Sequence, residues 1–106
     1  MENTFIPILI TNKALEEVRI IMNSKEVPDD YGLRIGVRGT GCGSNSHILG
    51  FDRKKENDLE FVKKDILVYI QKKDVLYMVG YELDFVERDD ERGFAFKKID
   101  VNQDKQ

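Results

Sequence analysis

The segment Gly39-Thr40-Gly41-Cys42-Gly43-Ser44-Asn45-Ser46-His47 holds the chain's one cysteine, its one histidine and three of its eight glycines. A thiol, an imidazole five residues on, and a backbone that glycine frees for positive φ and close approach admit three kinds of chemistry. A phosphate cradle needs Lys followed by Ser or Thr after its last glycine and a helix opening behind it. Here Gly43 is followed by Ser44-Asn45 and then by an extended pattern, so nucleotide binding is set aside. A nucleophilic or redox thiol would pair a Cys42 thiolate with a His47 imidazolium in a loop that folds back, but no second cysteine is present to resolve an oxidised sulfur. The third chemistry is metal or cluster ligation, for which a soft thiolate flanked by glycines is a suitable first ligand. One thiolate falls short of the roughly four ligands that structural zinc or a common iron–sulfur cluster takes. Only a dimer that brings two copies of Cys42 together, with His47 or a carboxylate such as Asp84, would reach that count. Beside these stands a purely structural reading, in which the glycines make a tight connection, Cys42 is a small buried hydrophobe and His47 is an ordinary strand residue.

The elements that must position this loop are legible from periodicity. Leu33, Ile35 and Val37 alternate with Arg34, Gly36 and Arg38 in the pattern of a half-buried strand leading into the loop, and Ser46 to Phe51 resumes an extended pattern after it. Upstream, Phe5 to Ile10 reads as a short strand that Pro7 confines to a sheet edge or to the entry of the sheet. Thr11 is placed to N-cap a helix whose Ala14, Leu15, Val18, Ile21 and Met22 share one face, and Asn23 to Asp30 with Pro28 ends it. Downstream, Leu59 to Val62 and a nearly fully buried Ile66 to Ile70 add two strands. Lys72 to Val79 forms a short helix or helical turn with Val75, Leu76 and Val79 on its apolar side. Tyr81 to Val86 and Phe94 to Lys97, joined by a polar turn from Glu87 to Arg92, give a hairpin. The fold class expected is mainly β with one N-terminal helix (α+β), a curled sheet or small β-sandwich or pseudo-barrel, with strand order open.

The chain's 106 residues fit a single domain, with a core from about residue 5 to residue 99 and a frayed polar tail from Asp100 to Gln106. Six Phe and four Tyr supply a core, and 35% charged residues supply a solvated surface. A net charge of −3 with acidic and basic residues interspersed excludes a general nucleic-acid binder, which draws its affinity from neutralising phosphates. The longest apolar runs, such as Ile66 to Ile70, are far below the roughly 20 residues that span a bilayer. A lone cysteine and a start, Met1-Glu2-Asn3, with no basic or apolar run point to a cytoplasmic protein.

Leu33-Arg34-Ile35-Gly36-Val37-Arg38-Gly39-Thr40-Gly41-Cys42 resembles the strand-to-loop signature of the HesB-like, A-type iron–sulfur carrier family. Further landmarks come in order: Ile10-Thr11-Asn12-Lys13-Ala14 resembles that family's helix start. Ile66 to Ile70 with Lys72 to Met78 resembles its buried strand and short helix, and Gly80-Tyr81-Glu82-Leu83-Asp84-Phe85 and Gly93-Phe94-Ala95-Phe96 resemble its last two strands. The resemblance covers Ile10 to about Ile99. It implies a compact β-rich unit with a helix cap that pairs as a homodimer, carries no catalysis, and binds iron or an iron–sulfur cluster for delivery, in contact with assembly or recipient proteins.

The family's ligands are the loop cysteine, matched by Cys42, and two more in a C-terminal Cys-Gly-Cys segment; Lys97 to Gln106 carries none. After Cys42, Gly43-Ser44-Asn45-Ser46-His47 stands where the family has Ser-Gly and then an aromatic residue. Two expectations result. One is a carrier with a reduced ligand set, its iron or cluster shared between subunits through Cys42. The other is a module without metal that keeps the fold and contacts a partner through Gly39, Thr40, Gly41, Gly43, Ser44 and Asn45.

Overall fold

The computed structural model describes residues 6–24, 26–38 and 46–99. Two sheets face each other across the core. The first has the order β1-β6-β7, built from β1 (Leu9–Ile10), β6 (Tyr81–Arg88) and β7 (Glu91–Lys98). The second has the order β3-β2-β5-β4, built from β2 (Gly32–Arg38), β3 (Ser46–Asp52), β4 (Asp58–Lys63) and β5 (Ile66–Gln71). Both are mixed: β1 runs parallel to β6 and β2 parallel to β5, while the hairpin pairs are antiparallel. Helix α1 (Asn12–Met22) follows β1, and a 3₁₀ helix (Lys72–Tyr77) carries the chain from β5 toward β6. This is the mainly β, single-helix architecture that the residue pattern predicts.

β1 is shorter than the expected strand from Phe5 to Ile10. Only Leu9 and Ile10 pair, at the sheet edge where Pro7 allows them, with Leu9 opposite Glu82 and Ile10 opposite Leu83. Thr11 then turns the chain into α1. Its N–H donates to Leu83 O at 3.0 Å, its Oγ1 accepts from the Ala14 N–H at 3.1 Å, and its carbonyl accepts from the Leu15 N–H at 3.0 Å. The N-cap thus joins helix to sheet, and Ala14, Leu15 and Val18 go into the core with Ile8, Leu33, Ile35, Val68, Ile70, Met78 and Leu83. β5 lies between two partners and buries Ile66, Val68, Tyr69 and Ile70, which is why it reads as a continuous apolar run.

The apolar side expected of Lys72 to Val79 is corrected by the helix type. With about 3.0 residues per turn, positions i and i+3 eclipse, so partly buried Val75 aligns with fully buried Met78. Leu76 is left 84% exposed and Val79 62% exposed. The polar turn of the last hairpin is likewise tighter than Glu87 to Arg92, because pairing continues to Arg88 opposite Glu91.

Two local features fix the second sheet. Lys64 and Asp65, between paired Lys63 and Ile66, have φ of 49° and 71°, the mirror-type two-residue hairpin turn, here without glycine or asparagine. Helix α1 braces this turn: Arg19 Nη2 donates to Lys64 O at 2.7 Å, and Lys64 Nζ donates to Asn12 Oδ1 at 2.8 Å. Across β2, Arg34 donates to both Asp58 oxygens, at 2.7 and 2.5 Å, and to Arg53 O at 2.8 Å. The Asp58 side chain is fully buried and also accepts from the Lys55 N–H.

The hydrogen bonds from Arg34, ahead of that from the Lys55 backbone, hold the Asp58 carboxyl below the ordinary carboxylate range. Removing one member of a buried pair strands the other, at a cost of about 3–5 kcal/mol. Asp58→Asn is therefore expected to lower the urea midpoint clearly at pH 6. Because the folded-state pKa is depressed, this contribution is complete above the unfolded value of about 3.9 and is lost as pH falls through the folded value. Urea titrations of both proteins at pH 6 and pH 3 should show the gap narrowing on acidification; a constant gap would refute the assignment. Asp65→Gly, which removes the side chain from a left-handed position, should raise stability by about 0.5–1 kcal/mol in the same assay.

Candidate functional site

The seven residues from Gly39 to Asn45, Cys42 among them, lie outside the described residues, and so does the tail from Asp100 to Gln106. The residues that flank the loop are placed. β2 and β3 pair in full register up to Arg38 opposite Ser46, with Val37 opposite His47. Cys42 is therefore bracketed in sequence by the closing pair of an antiparallel ladder.

His47 is partly buried at this end, on the same side of its sheet as Val37 and toward the other sheet. Its ring lies 4.2 Å from the Tyr81 ring and 5.1 Å from the Phe96 ring, centroid to centroid, the latter at 28° and so stacked. Its Nε2 is 2.8 Å from Tyr77 O. A carbonyl only accepts, so Nε2 carries the proton and donates, and in the neutral ring Nδ1 keeps its lone pair. His47 is thus an inter-sheet strut held by two aromatics, with one nitrogen that no described residue engages.

Asp84 is elsewhere. Period-two alternation along β6 places it on the face opposite Tyr81, hence opposite His47. Its Oδ1 accepts from Thr11 Oγ1 and from the Phe85 N–H, both at 2.8 Å, and its Oδ2 accepts from Lys97 Nζ at 3.0 Å. Lys97 first, then Thr11 and the Phe85 backbone, hold this carboxyl below the ordinary range. A carboxylate engaged this fully ties the helix N-cap to β6 and β7. The structure does not bring Asp84 and His47 into one site, and among the described residues no three of His, Cys, Asp and Glu cluster as a metal site would require. The described residues of one chain therefore do not assemble the donor set that a cluster takes.

Sequence reading missed what surrounds the loop end. Leu76, Val79 and Tyr77 are 84%, 62% and 42% exposed on and just after the 3₁₀ helix whose carbonyl receives His47. Ile99, the last described residue, donates its N–H to Gly80 O at 2.7 Å beside them. The signal was present as an apolar run, Val75 to Val79, but an α-helical period assigns Leu76 and Val79 to the core.

No protein-family model matches the chain. Curated relatives do. The chain is 34% identical over 98 residues to the iron-binding protein IscA of Serratia proteamaculans, covering 92% of this chain and 90% of that protein. It is 35% identical over 89 residues to the mitochondrial iron–sulfur cluster assembly 1 homolog of Dictyostelium discoideum, covering 82% of this chain but 64% of that protein, so it spans less than two thirds of that relative. Among solved structures, Escherichia coli SufA superposes with a TM-score of 0.72 over 92% of this chain and 87% of its own, at 23% identity, which speaks to the fold. A two-sheet β domain with one helix is thus shared with a known structure. The chain belongs to the HesB-like, A-type iron–sulfur carrier family that includes IscA.

If Asp84 is a structural tie and not a ligand, Asp84→Ala should lower the urea midpoint through loss of the Thr11 and Lys97 contacts while leaving iron bound per monomer unchanged. Iron counting after reconstitution, run beside the urea titration, checks both. A loss of iron with the fold intact would restore Asp84 to the ligand set.

Proposed function

We propose that this protein acts in iron–sulfur cluster assembly as a carrier and not as an enzyme, with Cys42 as its thiolate and the iron or cluster held between chains. The observation that supports this most directly is kinship over nearly the whole chain with an iron-binding IscA, at 34% identity. One cysteine per chain sets the form of the site. Two copies of Cys42 in a homodimer, or one copy with thiolates from an assembly or recipient protein, would supply the soft donors a cluster needs. His47 is the second candidate donor, through Nδ1, because its Nε2 is committed to Tyr77 O. A cluster with so few thiolates is labile, which suits cargo that must be handed on.

A second reading is favoured by a separate observation. Leu76 and Val79 are exposed apolar side chains at the end of the molecule where the loop begins and ends, the kind of surface that partners cover. In that reading the chain is an interaction module without metal, and Gly39, Thr40, Gly41, Gly43, Ser44 and Asn45 with the 3₁₀ helix form its contact surface. Among the described residues no helix is long and apolar enough to cross a membrane. We place the protein in the cytoplasm, as its single cysteine suggests.

Anaerobic reconstitution with ferrous iron and sulfide separates the two. Wild type should take up iron with cluster absorbance and sediment as a dimer; Cys42→Ser should lose both the absorbance and the iron, and His47→Phe, which keeps the stacking but removes the nitrogen, should bind more weakly. A folded wild-type protein that retains no iron would sink the carrier reading and leave the interaction module.

A further inference from the structure

β7 is the outer strand of the first sheet, and its far edge meets no described strand. At the opposite edge of that sheet β1 is two residues long, whereas β7 runs for eight, Glu91–Lys98, without proline. One bond decides which of its backbone groups face outward. The Ile99 N–H donates to Gly80 O at 2.7 Å, and Tyr81 stands opposite Lys98 in the antiparallel register. Residue pairs in such a ladder alternate between bonded and unbonded, so Glu91, Gly93, Ala95 and Lys97 turn their N–H and C=O toward β6. Arg92, Phe94, Phe96 and Lys98 turn theirs to the outer edge, where Phe94 and Phe96 also leave their side chains only half-buried.

The strand runs from acid to base. Asp90 and Glu91 are exposed at its start, and Lys97 and Lys98 are exposed at its end. Lys97 reaches Asp84, while Asp90, Glu91 and Lys98 form no ion pair with a described residue. Two copies of β7 laid antiparallel therefore set acid against base at both ends. The faces match only where the register shifts by whole pairs, since a one-residue slip turns every side chain over. With Phe94 opposite Phe94 of the second copy, Glu91 meets Lys97, Arg92 meets Phe96 and Gly93 meets Ala95. The outward N–H and C=O groups of Arg92, Phe94 and Phe96 then meet as bonded pairs. A slip of two residues sets Lys98 opposite Arg92 in one direction and opposite Arg88 in the other, and like charges opposite one another are destabilising.

We propose that the outer edge of β7 binds a second copy of this chain, in a two-fold antiparallel ladder centred on Phe94 that joins the first sheets of the two copies. Phe96, against which His47 stacks, lies two residues from the axis, so the ladder carries the two loop ends away from each other. This contact is separate from any sharing of iron through Cys42 and stands whether or not iron binds.

The full chain carrying Cys42→Ser, free of iron, tests it, since no cluster can then hold the copies together. Sedimentation equilibrium should show monomer and dimer exchanging with concentration. Glu91→Lys, which sets like charges opposite at two symmetric places, should raise the dissociation constant by about tenfold. Disulfide formation reads the register. Gly93 and Ala95 of the second copy form an unbonded pair with Cα atoms about 4.5 Å apart, within reach of a disulfide. A Cβ on Gly93 meets nothing within 4 Å in its own chain. Gly93→Cys and Ala95→Cys proteins, mixed under oxidation, should form a mixed dimer recognised by its intact mass, and neither should cross-link with itself at a comparable rate. A chain that stays monomeric overturns the proposal and leaves the edge to a strand of another protein. A dimer unmoved by Glu91→Lys, or one that yields no mixed disulfide, overturns it as well.

Discussion

Thr11 and Asp84 meet at a junction on which the packing of the whole domain depends. Asp84 sits in the middle of β6, and its carboxylate collects the hydroxyl of the helix N-cap, the Phe85 N–H and the Lys97 ammonium from β7. Thr11 in turn gives its N–H to Leu83 O and receives the Ala14 N–H. One polar contact therefore fixes where β1 ends, where α1 begins and how the helix is rotated on the first sheet. That rotation sends Ala14, Leu15 and Val18 between the sheets, where each is at most 2% exposed. Apolar burial supplies the driving force but has no direction. The junction supplies the direction, and it does so at partial exposure, where its polar atoms are satisfied by one another.

The two sheets share no strand, so their relative placement rests on side chains. In the interior these are mostly aliphatic, with Phe61, Phe85 and Met78 among them. At the loop end they are His47 from β3, Tyr81 from β6 and Phe96 from β7, with the Tyr77 carbonyl below. A ring in this position must be flat enough to stack and polar enough to satisfy a carbonyl, and an imidazole does both. His47 then couples the hairpin that flanks Cys42 to the strand that leads toward the C-terminal tail.

The extent to which this was legible in the sequence tracks the range of each interaction. Thr11 as N-cap, the helix face and the alternation of β2 were readable because each is decided within a few residues by hydrogen-bond geometry or period. The buried run of β5 was readable because it lies between two partners and needs no polar face. The 3₁₀ helix was misread at Leu76 and Val79 because Val75 to Val79 satisfies periods of 3.0 and 3.6 about equally well, and the choice is made by where Met78 finds room in the core. The turn at Lys64-Asp65 carries no glycine or asparagine signal; it is stabilised by Arg19 and Asn12, far away in sequence. Arg34 with Asp58, and Asp84 with Lys97, are long-range pairings among residues that locally look like ordinary surface charges. For the loop the residue types alone were legible, and the thiolate count came from them. Which of those residues could meet was not, since it depends on face: His47 and Asp84 looked interchangeable as donors until the alternation of β6 put them on opposite sides.

That separation bears on the proposed carrier role. A cluster site built within one chain needs its donors to converge, and here a saturated carboxylate faces away while the imidazole is half committed. What remains at the loop end is a single thiolate in sequence, one ring nitrogen that no described residue engages and a margin of exposed apolar side chains. Such a set is incomplete toward metal and incomplete toward water. Covering Leu76 and Val79 with another chain would remove apolar area from water at about 25 cal/mol per Å², and would exclude solvent from any ligand set formed there. Burial would also strengthen each metal–thiolate contact by lowering the local dielectric. In this arrangement cargo and partner stabilise one another, so departure of the partner would weaken the hold on the cargo, and a carrier with one cysteine per chain could release what a full set of ligands within one chain would keep.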